Sequence, residues 1–107
     1  MSEHERKKVR VIISGKVQMV NFRHETRKTA RELGLAGWVR NLRNEEEQVE
    51  ALFEGRVEKV DEMIEWCRSN EPGGSPGNVS DVVPVPLTDE DCPFPFERRD
   101  DRVPDDD

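Results

Sequence analysis

The chain has 107 residues, of which 33% are hydrophobic and 38% charged, and its net charge is −7. This length fits one domain and leaves no room for a second, and the modest apolar fraction predicts a lean core. Nucleic-acid binding is not expected of an acidic chain, because neutralisation of phosphates supplies most of the non-specific affinity. The sequence also has no apolar run long enough to span a membrane.

Charge is distributed unevenly along the chain. Residues 1–43 carry 11 basic and 4 acidic side chains, whereas the rest of the chain is strongly acidic. Because anions bind where positive charge is concentrated, we expect any anion site in the first half. Residues 1–8 form a charged leader without the apolar stretch of a secretory signal, which favours a cytoplasmic location.

The two cysteines, Cys67 and Cys92, have neither metal-type spacing nor a secretory context. A disulfide framework and a metal site are therefore not expected. We expect Cys67 in the buried part of a helix and Cys92 in a loop.

The first elements in chain order are a strand and a helix. The β-branched run from Val9 to Ile13 predicts a strand that ends at Ser14 and Gly15. After a loop, apolar or small residues recur at helical spacing from Phe22 onward, and Gly34 supplies a left-handed helix stop.

A hairpin and a second helix follow. The segments 37–41 and 48–55 suit two paired strands, joined by an exposed acidic turn over residues 42–47. Apolar residues at helical spacing from Val57 to Cys67 predict an amphipathic helix.

The last part of the chain is interrupted by Gly and Pro between residues 71 and 77. Val79 to Val85 then resumes a strand, which Pro84 marks as short or at an edge. Phe94 to Arg98 can supply a fifth, edge strand. We expect the domain to cover residues 9–99 and residues 100–107 to form an acidic disordered tail.

This order of elements predicts an α+β fold, a ferredoxin-like βαββαβ sandwich. Two helices would pack on one face of a four- or five-stranded, mainly antiparallel sheet. Such a fold does not by itself name a function.

The loop from Gly15 to Arg23 joins the end of a strand to the start of a helix. At such a place backbone N–H groups and the helix dipole favour an anion, and Arg23 can add a bidentate contact. These features alone leave open that Arg23 is a surface charge and that Asn41 only begins a turn. We expect His24 to be exposed rather than a general base.

Two motifs resemble those of the acylphosphatases, small enzymes that hydrolyse the carboxyl–phosphate bond of acyl phosphates. The family's loop pattern G-x-V-Q-G-V-x-F-R is matched from Gly15 to Arg23, except at Met19. Its second signature, L-G-L-x-G-W-V-R-N, is matched at every fixed position from Leu33 to Asn41.

The resemblance implies that a small acyl phosphate is cleaved to carboxylate and inorganic phosphate by a monomer without metal, cofactor or covalent intermediate. Loop amides and the Arg23 guanidinium would bind the phosphate, and Asn41 would orient the attacking water. The phosphate-binding residues that it implies are Val17, Gln18, Met19, Val20, Asn21, Phe22 and Arg23.

Met19 stands where the family pattern has glycine. A left-handed backbone there would cost methionine about 1–2 kcal/mol, or the loop would shift. This departure leaves open an alternative, a catalytically weakened module that binds anions or another protein. An RNA-binding sheet on the same frame is a further alternative, which requires exposed aromatic residues on the central strands.

Overall fold

Five strands and two helices follow one another in the order predicted from the sequence. The computed structural model describes residues 5–17, 21–69 and 78–101. The predictions for residues 18–20, for the Gly/Pro-rich interruption and for most of the acidic tail lie outside this part of the chain. The elements are β1 (Arg6–Lys16), α1 (Phe22–Glu32), β2 (Ala36–Asn41), β3 (Val49–Arg56), α2 (Val57–Arg68), β4 (Asn78–Val85) and β5 (Glu97–Arg98).

The strands form one sheet in the order β4-β1-β3-β2-β5. All neighbours are antiparallel except β2 and β5, which are parallel and pair Val39 with Arg98. This confirms the ferredoxin-like α+β fold, and the sheet has five strands rather than four. Because β2 and β5 run in the same direction, the residues after Arg98 continue toward the end of β2 at Asn41.

The core lies between the sheet and the two helices. Alternate strand residues face the helices, and the buried positions include Val11 of β1, Val39 of β2, Ala51 of β3, Ala30 of α1 and Met63 of α2. The same alternation that predicted the strands thus places one apolar face of the sheet against both helices.

The start of α1 is anchored by an aromatic contact. The buried ring of Phe22 stacks on Trp66 of α2, with 5.9 Å between the ring centroids. At the other end of α1, the Arg31 Nε donates to the carbonyl oxygen of Phe96 at 2.7 Å. These contacts fix α1 to α2 and to the chain just before β5.

The second face of the sheet is covered by residues 86–93, which the sequence did not predict. The Trp38 Nε1 donates to the Asp91 carbonyl at 3.1 Å, and the Gly37 N–H donates to the Pro93 carbonyl at 2.8 Å.

Gly37 has φ 134°, and a Cβ at this position would lie 1.8 Å from the Leu52 carbonyl oxygen. Only glycine fits at this point of the sheet.

β1 begins at Arg6, before the strand predicted from Val9. Residues 6–8 are polar, but their backbone pairs with β3 over residues 54–56, which satisfies its N–H and C=O groups. Within the described part of the chain, neither helix is long and apolar enough to cross a membrane.

Candidate active site

The N-terminus of α1 presents backbone donors toward the predicted phosphate loop. The residue before the helix, Asn21, has a left-handed backbone with φ 59°, and its own side chain does not cap the helix. Asparagine tolerates this conformation better than most residues. Since the first-turn N–H groups of a helix have no partner within it, they can bind an anion.

Arg23 lies in this first turn, and its side chain is 21% exposed. Burial lowers the pKa of its guanidinium, the positive charge of Arg98 lowers it further, and the negative charge of Asp101 opposes both effects. Two of these three influences thus disfavour the charged form. An anion placed beside Arg23 would relieve them.

A carboxylate already lies against Arg23. The Asp101 Oδ1 is 3.3 Å from the Arg23 Nη1, and its Oδ2 is 3.8 Å from the Arg43 Nε. Asp101 therefore bridges an arginine of α1 and one of the β2–β3 turn, as a bound anion would.

These residues belong to an open cleft of about 680 Å³. Its walls come from the first turns of α1, from the residue after Leu42 and from the chain that includes and follows β5. The lining residues are Arg23, Arg27, Arg43, Arg98, Arg99, Asp100 and Asp101. The net charge of this surface is positive, although that of the whole chain is negative.

Asn41 ends β2 and is only 7% exposed. Its Oδ1 is buried, and no described residue donates a hydrogen bond to it. A buried oxygen without a partner is costly, so a hydrogen-bond donor that reached this atom would be bound favourably. Asn41 does not line the cleft itself, but Arg43, two residues further on, does.

The residue before Asn41, Arg40, is held by an ionic network on the face of the sheet opposite the helices. The Arg40 Nε donates to the buried carboxylate of Glu50 at 2.9 Å, and Arg10 contacts the same carboxylate. The Arg40 Nη2 also contacts both carboxylate oxygens of Glu90, at 2.8 and 2.9 Å. Removing one partner of such a buried network typically costs about 3–5 kcal/mol.

The structure describes only some of the residues that the sequence predicted for the site. Gln18, Met19 and Val20 lie outside the described residues. Val17 and Phe22 are buried, so their side chains serve the core and only their backbone can reach a ligand. Cys67 is buried in α2 and Cys92 lies in a loop, as predicted, and the His24 side chain is 45% exposed.

Sequence reasoning missed four arginines and two aspartates of the cleft. Arg27 could have been predicted from the sequence, because a residue four positions after Arg23 lies on the same face of the helix. Arg98 and Asp101 had none, since they reach the cleft through the parallel pairing of β5 with β2. Among the described residues there is also no cluster of His, Cys, Asp and Glu that can hold a metal.

The sequence profile described as Acylphosphatase matches residues 9–91 of this chain. The chain belongs to the acylphosphatase family. An acylphosphatase from Rubrobacter xylanophilus is 49% identical over 71 residues, which are 66% of this chain and 63% of that protein. The aligned part of the chain thus spans just under two thirds of this relative's length.

Two further acylphosphatases align over more of their length. The one from Syntrophobacter fumaroxidans is 42% identical over 94 residues, 88% of this chain and 89% of that protein. The solved structure of an acylphosphatase from Coxiella burnetii is 33% identical, has a TM-score of 0.67 and is matched over 88% of this chain and 93% of its own. These findings confirm the resemblance seen in the two acylphosphatase motifs.

Proposed function

We propose that this member of the acylphosphatase family hydrolyses the carboxyl–phosphate bond of small acyl phosphates. The products are a carboxylate and inorganic phosphate. The observation that carries the proposal is Arg23, a partly buried cation at a helix N-terminus that already holds a carboxylate. The family membership of the chain supports the same reaction.

In this proposal Arg23 and the first-turn amides of α1 bind the oxygens of the phosphoryl group. The amides of residues 17–22 complete the binding loop. Phosphoryl transfer develops charge on the oxygens around phosphorus, and donors fixed in advance stabilise that charge. The planar guanidinium of Arg23 donates two parallel hydrogen bonds to such an anion.

Asn41 positions the attacking water. Its buried Oδ1, which has no donor among the described residues, accepts a hydrogen bond from the water and fixes its orientation. The water oxygen forms a bond to phosphorus, while the bond from phosphorus to the acyl oxygen breaks and its electron pair leaves with the carboxylate. An oxygen of the phosphoryl group accepts the water's proton, so no general base is needed.

The sheet gives no support to the RNA-binding alternative. Trp38 and Phe53 are buried, one beneath residues 86–93 and the other in the core. A monomeric state, a cytoplasmic location and the absence of nucleic-acid and membrane partners stay predictions, and the net charge of −7 supports the one about nucleic acid. The division into a leader, a domain over residues 9–99 and a tail stays a prediction too.

The test is hydrolysis of benzoyl phosphate by the purified protein, followed by the change in ultraviolet absorbance, with and without EDTA. We expect saturable turnover with the same rate in both conditions. Phosphate binding without turnover would replace this proposal by the weakened anion-binding module. Turnover that EDTA abolishes would overturn the metal-free mechanism.

A further inference from the structure

The arginine cleft carries more positive charge than one phosphate requires. Five arginines face two aspartates across a volume of about 680 Å³. The two aspartates offset only part of this positive charge. The excess of positive charge points to a second anionic group on the ligand.

Arg98 and Arg27 are the arginines of the cleft that remain without a carboxylate. Neither forms an ion pair within the described part of the chain. Arg99, in contrast, forms two: its Nε lies 2.9 Å from the Glu97 Oε2, and its Nη2 lies 2.7 Å from the Asp91 Oδ1. The polar side-chain contact of Arg27 is with the Nδ1 of His24, at 3.4 Å. Two cations of the cleft are thus available to a ligand.

Arg98 lines the same cleft as Arg23, so the cleft offers a ligand a second cation. Arg98 ends β5 and is exposed, and its charge is close enough to lower the pKa of Arg23. Two guanidinium groups that repel each other across a cleft are both stabilised by an anion at each of them. Asp101 demonstrates that a carboxylate fits between two arginines of this cleft, Arg23 and Arg43.

We propose that the acyl group of the favoured substrate carries a carboxylate, which binds at Arg98 and Arg27 while the phosphate binds at Arg23. This inference rests on the proposed hydrolysis of acyl phosphates and names the substrate class. Arg98 is then a specificity-determining residue. A carboxylate matches the planar donor fork of arginine, which can bind it through two hydrogen bonds.

The test compares two substrates that differ only in the second charge, benzoyl phosphate and 4-carboxybenzoyl phosphate. The para carboxylate cannot cyclise onto the acyl phosphate. We expect wild-type protein to favour the carboxylated substrate in kcat/KM, and Arg98→Met to reduce this preference by up to about fivefold. The quantity compared is the ratio of the two kcat/KM values, so a general loss of activity cancels.

The matched control is Arg56→Met. Arg56 is also exposed, but it does not line the cleft. It is the last residue of β3, whereas the residue that pairs with Asn41 is the first, Val49. This variant should keep the wild-type ratio. A second measurement needs no variant: the preference of the wild type should fall as ionic strength rises, because salt screens charges in an open cleft.

Equal kcat/KM for the two substrates in the wild type would overturn the inference, and so would an unchanged ratio in Arg98→Met. In both cases benzoyl phosphate is still hydrolysed and the proposed function stands. If neither substrate is hydrolysed, the proposed function itself is overturned, which is a different result.

Discussion

Arg23 has surroundings that disfavour its own charge, and this makes it informative. Burial and the neighbouring Arg98 lower the pKa of the guanidinium, and the one described opposing influence is the carboxylate of Asp101. An anion bound in the cleft would offset both effects, as Asp101 does in part.

Replacing Arg23 by lysine tests this role. Arg23→Lys keeps one charge but loses the planar fork, so inhibition by inorganic phosphate should weaken by about tenfold or more. The melting temperature should change little, because partly exposed ion pairs contribute only about 0–1 kcal/mol. The control is Arg68→Lys on α2, which phosphate should inhibit as strongly as it inhibits the wild type. Unchanged phosphate inhibition of Arg23→Lys would show that Arg23 does not bind phosphate.

Met19 lies outside the described residues, so the strain predicted for it stays a prediction. If its backbone is left-handed, Met19→Gly relieves the side-chain penalty and lets the loop amides converge on the phosphate. The kcat/KM or the phosphate affinity should then rise by up to about tenfold for each 1.4 kcal/mol of strain relieved. Paired kinetics of the two proteins that reveal no gain in either quantity would contradict the strain.

At the scale of the elements, the sequence predicted the features that depend on residues close to one another in the chain. The two helices, the β2–β3 hairpin and the helix-facing alternation of strands follow from spacings of a few residues. The cover over the second sheet face does not, because contacts such as that of Arg40 with Glu90 join residues 50 positions apart. The parallel pairing of the two-residue β5 with β2 has no sequence signal for the same reason.

α2 contains a titratable group whose effect on stability can be measured. Burial raises the pKa of the Cys67 thiol to about 12, from an ordinary value of 9.0. The unfolded chain therefore loses this proton at lower pH than the folded protein. The stability contributed by the protonated thiol is fully present below about pH 9 and is lost as pH rises toward about 12.

The measurement is urea unfolding of the wild type and of Cys67→Ala at pH 8 and pH 10.5. Above about pH 9 the free energy of unfolding of the wild type should fall more steeply, by up to about 1.4 kcal/mol per pH unit. Cys92 and the other titrating groups are common to both proteins, so they cancel in the comparison. Parallel pH profiles would contradict the burial of this thiol.

At the scale of the whole molecule, basic residues predominate in the first part of the sequence and acidic residues in the rest, and some of them contact each other in the folded protein. The first half of the chain supplies Arg23, Arg27 and Arg43, and the acidic second half supplies Asp101, which lies on two of them. The sequence predicted that an anion site would lie in the basic half. It did not predict that a carboxylate from the other end of the chain would contact Arg23 and Arg43.

Asp101 should therefore compete with the substrate phosphate for Arg23. Asp101→Asn removes the competing charge, so the KM and the inhibition constant of phosphate should fall by up to about fivefold, the size expected of an exposed ion pair. The matched control is Asp89→Asn, an exposed aspartate that does not line the cleft. If both variants keep the wild-type KM, Asp101 does not compete.

The most direct test of the account is the separation of catalysis from phosphate binding in Asn41→Ala. Loss of the water-positioning oxygen should reduce kcat by roughly 10² or more, while the inhibition constant of inorganic phosphate stays within about twofold. Asn44→Ala is the control, because Asn44 lies in the β2–β3 turn, where it donates to Gln48, and this variant should keep its kcat. A wild-type kcat in Asn41→Ala, or a loss of phosphate binding as large as the loss of kcat, would contradict the proposed site.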